Sequence, residues 1–181
     1  DNGGAMDGVT AIDMAATFGR LVNPSPSFRL FAYDDRKVLN WATHLKDDLL
    51  YAEDDARNFK NVLFYINWLL FGDCLNVIYE IGDGGGMMVF SAIIPGHKMK
   101  MDWHMWDKSL WCKSFAREGK ALVDLMVSMF NLKRVWSTTA KPEIVKLMKY
   151  FGAKIEGVKK LDFKFDGKFY DSYMLAWSKE D

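Results

Sequence analysis

Cysteine, histidine and proline are all scarce in this 181-residue chain, which holds two, three and four of them respectively. The cysteines, Cys74 and Cys112, permit at most one disulfide and belong to no CxxC or Cys/His ligand spacing. No metal site is therefore expected, and reduced thiols in a cytoplasmic protein are. Neither sign of charge is in excess: Lys+Arg and Asp+Glu both number 24, giving zero net charge. That balance argues against a nucleic-acid binder, which normally carries a basic surplus. Long apolar runs are missing too. A stretch such as Val89–Pro95 falls far short of the roughly 20 residues a bilayer span needs, so no membrane association is expected. The first residues show no basic-then-apolar leader, and no secretion signal is read there. What is abundant is material for a core. Half the residues are hydrophobic and 15% are aromatic, which favours a packed domain over a disordered chain.

The composition divides the chain into an arm, residues 1–27, and one domain, residues 28–181. The arm is rich in Gly and Ala and closes with Asn23-Pro24-Ser25-Pro26-Ser27, where two prolines favour extended backbone. Within it, Ala11–Leu21 has the spacing of a short amphipathic helix through Ile12, Ala16, Phe18 and Leu21. From Phe28 the punctuation is regular. Phe28–Tyr33 reads as a strand, and Asp34-Asp35 then caps a helix carrying Val38, Trp41, Ala42 and Leu45 on one face. A second helix is expected over Asp54–Phe71 with Phe59, Leu63, Ile66/Asn67 and Leu70 on one face, ended by Gly72. Leu75–Ile81 and Met87–Ile94 read as strands joined across Gly82–Gly86. A phosphate loop needs a helix behind its glycines; a strand follows here, so the cluster reads as a hairpin turn.

Lys98–Trp106 alternates strictly, with Met99, Met101, Trp103 and Met105 on one face and Lys100, Asp102, His104 and Trp106 on the other. The Met/Trp face fits a core. It also fits a protein interface, and with Lys98, Lys100, Lys108, Trp106 and Trp111 it forms the aromatic-plus-basic pattern of a base-stacking patch. Asp107 or Ser109 then caps a helix running to about Phe130, with Phe115, Leu122, Met126 and Met129/Phe130 inward. A strand at Arg134–Thr139, a helix at Lys141–Phe151 with Pro142 in its first turn, and a hairpin of Ile155–Phe165 and Phe169–Trp177 across Asp166-Gly167 complete the chain. The order β-α-α-β-β-β-α-β-α-β-β implies an α/β fold whose mixed, mostly antiparallel sheet has helices on both faces.

Four segments carry a resemblance: Asn131–Trp136, Lys141–Lys154, Ile155-Glu156-Gly157 and Asp166–Asp171. Together they resemble the C-terminal half of the GNAT superfamily of N-acetyltransferases, and more narrowly the branch that acetylates ribosomal-protein N-termini. The element order is also the GNAT order. This resemblance implies a cofactor, acetyl-CoA, whose pyrophosphate lies on backbone amides of a glycine-rich loop between the fourth strand and the third helix. The corresponding segment, Asp107–Gly119, has no glycine before Gly119 and carries Leu110, Trp111 and Phe115. Lys108, Lys113, Ser114 and Arg117 are the candidates for the phosphates, and Ser137 and Thr138 for the pantetheine arm.

The resemblance further implies a Tyr in the fourth helix that protonates the leaving thiolate; Met148 stands there. Tyr150, two residues on, lies on the wrong side, and Tyr170 or Tyr173 would need an unusual geometry. His104 and Asp102 are the candidate bases. An imidazole titrates nearer neutrality than a carboxylate and is the better of the two, while the alternative is a plain polar residue on a half-exposed strand face. His44 and His97 read as surface residues.

Two functional readings stand. The first is transfer of an acetyl group to an amine, on a small molecule or a protein N-terminus. The second is a silent GNAT scaffold, similar to the degenerate GNAT-like proteins of tailed phages, acting through protein contacts of its arm or aromatic face and associated with a virion.

Overall fold

The computed structural model describes residues 22, 24–48, 59–72, 75–165 and 167–179. The Ala11–Leu21 helix, the start of the second helix at Asp54, Cys74 and Asp166 lie outside the described residues. Within them the elements are β1 (Phe28–Leu30), α1 (Asp35–Asp48), α2 (Phe59–Phe71), β2 (Val77–Ile81), β3 (Gly86–Ile94) and β4 (Lys98–Met105). A 3-10 turn at Lys108–Leu110 leads to α3 (Lys113–Met129), followed by β5 (Arg134–Thr139), α4 (Pro142–Tyr150), β6 (Lys154–Phe165) and β7 (Lys168–Ser178). The order is the one expected. The seven strands form one sheet, ordered β1-β2-β3-β4-β5-β7-β6, in which only β4 and β5 run parallel.

Local chemistry sets the element ends. The Asp34 carboxylate accepts the amides of Arg36 (2.8 Å) and Lys37 (3.1 Å), the expected cap of α1. The β2–β3 turn uses Gly82 and Gly84 at positive φ, as a hairpin does. Asp107 caps the 3-10 turn and not α3, whose N-cap is Cys112.

Two apolar layers sandwich the sheet. On one face α3 and α4 pack with Met99, Met101, Trp103 and Met105 of β4; Trp103 is 1% exposed, and its ring packs against Phe28, Phe115 and Phe151. A Cβ at Gly119 would lie 3.0 Å from the Trp103 ring and 3.2 Å from Phe151, so the helix carries no side chain where it crosses the indole. The aromatic face of β4 is thus core, and the interface and base-stacking readings of it fail. On the other face α1 and α2 cover Ile78, Met87 and Val89. The α1 stripe is as expected, with Trp41, Ala42 and Leu45 buried. In α2 the inward residues are Val62, Ile66 and Leu69, whereas Asn67 is exposed and Leu63 and Leu70 are half-buried. This helix is apolar almost all round (FKNVLFYINWLLF), so spacing alone does not select its buried stripe.

Candidate active site

The parallel pair β4/β5 is hydrogen-bonded only from Lys98/Arg134 to Lys100/Trp136. Beyond that point β4 continues to Met105 and β5 to Thr139 without pairing to each other, and β5 turns its other edge to β7 through Ser137↔Leu175, Thr138↔Met174 and Thr139↔Tyr173. The two strands therefore part in mid-sheet. The chain leaving β4 enters α3 next to this opening. At the start of α3 a cavity of about 770 Å³ is lined by Trp111, Cys112, Lys113, Ala116, Arg117 and Tyr150. Two cations and the first turn of a 17-residue helix face one space, an arrangement that favours an anionic ligand.

A phosphate group fits this site through some donors and not others. The Trp106 and Asp107 amides donate to the Gly85 carbonyl (3.2 and 2.9 Å), and the Trp106 indole N–H donates to the Gly84 carbonyl (2.6 Å). The Ser109 amide donates to the Asp107 carboxylate (2.9 Å), while those of Leu110 and Trp111 donate to the carbonyls of Asp107 and Lys108. Leu110 packs over Gly82 and Gly85, fixing the loop against the hairpin. These five amides are committed internally, and in the first turn of α3 the Phe115 amide donates to the Cys112 sulfur and the Ala116 amide to the Cys112 carbonyl, which leaves binding chiefly to the Lys113 and Arg117 side chains. Those residues suit a phosphate-bearing ligand held chiefly by side-chain charge.

Cys112 is exposed at the mouth of the cavity, its Sγ 3.0 Å from Ser114 Oγ. The hydrogen bond with Ser114, then the Phe115 amide, lowers its thiol pKa from the ordinary value; slight burial and the Glu118 charge oppose this. Tyr150 also lines the cavity; it is 52% exposed while Met148 is buried, so the two lie on different sides of α4. Met148, in the helix position implied for the acid, is buried in the core. Lys108 sits on the exposed 3-10 turn, and Ser114 on the exposed first turn of α3. Ser137 is buried and Thr138 half-buried on β5, just past the last pair with β4.

The candidate bases occupy the opposite face of β4. His104 is 1% exposed, not half-exposed as expected, because α2 covers it: Tyr65 Oη lies 3.1 Å from its Nε2. Asp102 shares the face and is ion-paired with Lys100 at 2.8 Å, which leaves it the weaker candidate. Trp106 stacks on His44 of α1, ring centroids 5.0 Å apart, so His44 is no plain surface residue; His97 is exposed. No cluster of metal-binding side chains occurs among the described residues. No helix among them is long and apolar enough to cross a membrane.

This architecture is similar to that of solved acetyltransferases. A GNAT-family acetyltransferase from Bacillus anthracis matches with a TM-score of 0.60 at 16% identity, over 84% of this chain and 95% of that one. The spermidine N-acetyltransferase of Vibrio cholerae, in complex with CoA and spermine, gives 0.63 at 16% identity, over 85% and 96%. An acetyl transferase of Salmonella typhimurium that modifies the N-terminal serine of ribosomal protein L7/L12 gives 0.62 at 16%, over 88% and 99%. No protein-family model matches the sequence, and no curated protein matches it. At such identities the likeness shows the fold, and the fold of this chain is that of the GNAT acetyltransferases.

Proposed function

We propose that this protein is an acyl-CoA-dependent N-acyltransferase that moves an acetyl group from acetyl-CoA to a primary amine. The observation that carries this reading is the parting of β4 and β5, from whose open end the chain runs into α3 and its cation-lined cavity. Neighbours of the same fold act on spermidine and on a protein N-terminus, which supports an amine acceptor.

Acetyl-CoA supplies an acyl carbon activated for attack by an amine. Lys113 and Arg117 would hold its phosphates, and Ser137 and Thr138 would border the path of the pantetheine arm. The attacking amine must shed a proton. His104 takes it, with the Tyr65 hydroxyl extending the reach of the buried imidazole towards α2.

Thermal unfolding with and without acetyl-CoA at about 1 mM tests the reading, because a ligand that binds only the folded state raises the Tm by mass action. A rise in the wild type that is lost in Lys113→Ala/Arg117→Ala is expected. No rise at that concentration overturns the cofactor assignment and favours a silent scaffold. In a turnover assay on polyamines and peptide N-termini, His104→Gln should lower kcat by about 10²-fold. Unchanged turnover there, or in Asp102→Ala combined with His104→Gln, removes the base assignment.

A further inference from the structure

The outward face of α2 is nearly as apolar as its inward one. Lys60 is the one charged residue of this helix, and a helix that is hydrophobic all round is ordinarily buried. Opposite the core stripe of Val62, Ile66 and Leu69 stand Phe64, Asn67, Trp68 and Phe71, at the i, i+3, i+4, i+7 spacing of a second contact face. Phe64 is 72% exposed, Trp68 42% and Phe71 65%. Tyr33, 59% exposed, extends the row, its ring 5.9 Å from that of Phe71. The β6–β7 hairpin also exposes Val158, Leu161 and Phe169, but Lys159, Lys160 and Lys164 stand among them, the pattern that keeps a sheet edge in water. Between Phe64 and Phe71 no charge interrupts the row.

Area, symmetry and charge name the occupant. An aromatic side chain offers about 150–250 Å², so the exposed fractions of these four rings amount to about 350–600 Å² per molecule, the size of the largest apolar patch on an ordinary monomer. Two such patches brought together remove about 700–1,200 Å² of ring surface from water, and Asn67 with the half-buried Leu63 adds to it. A specific interface needs about 1,000 Å² in total. The row also suits a twofold axis passing beside Asn67 and Trp68, which sets Phe64 of one copy against Phe71 of the other and the reverse. Asn67 is the polar member of the row, and its amide both donates and accepts, so two copies of it satisfy each other. One such Asn in an apolar seam fixes the register of packed helices. Zero net charge leaves no broad repulsion between copies. We propose that α2 is a homodimer interface, two copies of this chain packing their Phe64–Phe71 faces about a twofold axis.

Sedimentation equilibrium of the whole protein at about 100 µM, a hundredfold above a micromolar Kd, should give twice the 20.8 kDa mass of one chain. Phe64→Lys/Phe71→Lys, and separately Asn67→Lys, set like charges across the axis and should raise the Kd by about 100-fold or more, with far-UV circular dichroism unchanged. Leu161→Lys, on the other exposed apolar row, should leave the doubled mass intact. Asn67→Cys in a Cys74→Ser/Cys112→Ser background keeps all four rings and gives a second reading should a charged variant fail to fold. A bismaleimide spanning about 8–10 Å, the interaxial distance of packed helices, should join two copies of it, and dilution below the Kd should abolish the joining. A wild type that is monomeric at the sedimentation concentration overturns the proposal, whether residues 1–21 or a different protein covers the row. So does a doubled mass that both charged variants keep, or one that Leu161→Lys abolishes. A dimer whose Asn67→Cys thiols stay unjoined overturns it as well.

Discussion

Cys112 condenses the chemistry of the cleft into one atom. Its thiol pKa lies below the ordinary value because the Ser114 hydroxyl and the Phe115 amide stabilise the thiolate. Since the thiolate is the reactive form, a lowered pKa extends its reactivity to lower pH. In a Cys74→Ser background, alkylation by iodoacetamide should reach half its maximal rate below the pH of a free cysteine thiol. Ser114→Ala should move that midpoint upward, and acetyl-CoA should slow the reaction. A midpoint indifferent to Ser114 would show that the hydroxyl does not tune the thiol. His104 shows what a sequence discloses at this scale. Alternation along β4 placed it on the same face as Asp102, but not the cover that α2 lays over that face. Burial there depends on Tyr65, 39 positions away, and no local pattern reports a contact across that distance.

Whole elements were more legible than their faces. Among the described residues β1 ends at Leu30 and not Tyr33, and α3 begins at Lys113 and not after Asp107 or Ser109. Each strand and helix among them could still be located from turn residues and periodicity, since Gly72, Gly152 and the glycine cluster at 82–86 punctuate the chain. The inward stripe of α2 could not, because apolar residues surround that helix. Gly86 marks a further demand at this scale. A Cβ there would lie 2.6 Å from the His104 carbonyl oxygen and 3.1 Å from the Met105 Cα, both backbone atoms of β4. Gly86→Ala should therefore lower stability by about 1–3 kcal/mol in urea titration. Equal midpoints for the two proteins would show that β4 yields freely.

The entry to β1 is tied to α3 through the Glu118 carboxylate, which accepts the Ser27 amide at 3.0 Å. Burial alone would raise the Glu118 pKa. The hydrogen bonds from Ser27 outweigh it and, with the Arg117 charge, hold the pKa below the ordinary value. A depressed folded-state pKa contributes stability above the unfolded value, and that contribution vanishes as pH falls through the folded one. The urea midpoint of Glu118→Gln should accordingly sit below that of wild type near neutral pH, and the two should converge on acidification. A gap constant with pH would mean that the carboxylate charge is irrelevant to the tie.

At the scale of the molecule, zero net charge leaves no broad field to draw an anion in. Attraction is local to Lys113 and Arg117, whose charges are screened by salt more readily than the fixed dipoles of a buried amide cradle. Acetyl-CoA affinity should fall severalfold between about 50 and 200 mM salt. A flat response would assign the phosphates to backbone donors instead. The architecture of the cleft was readable from the order of elements, while the strapping of its loop onto the β2–β3 hairpin was not, because Trp106 and Gly84 meet only after folding. That strap makes two sequence-distant segments one mechanical unit. Once a cofactor steadies the start of α3, the amide protons of Trp106 and Asp107, which bridge to the glycine hairpin, should trade with deuterated solvent more slowly. Any drift at Gly85 through descent would have to be answered by Leu110 and Asp107, the side chains that crowd against it.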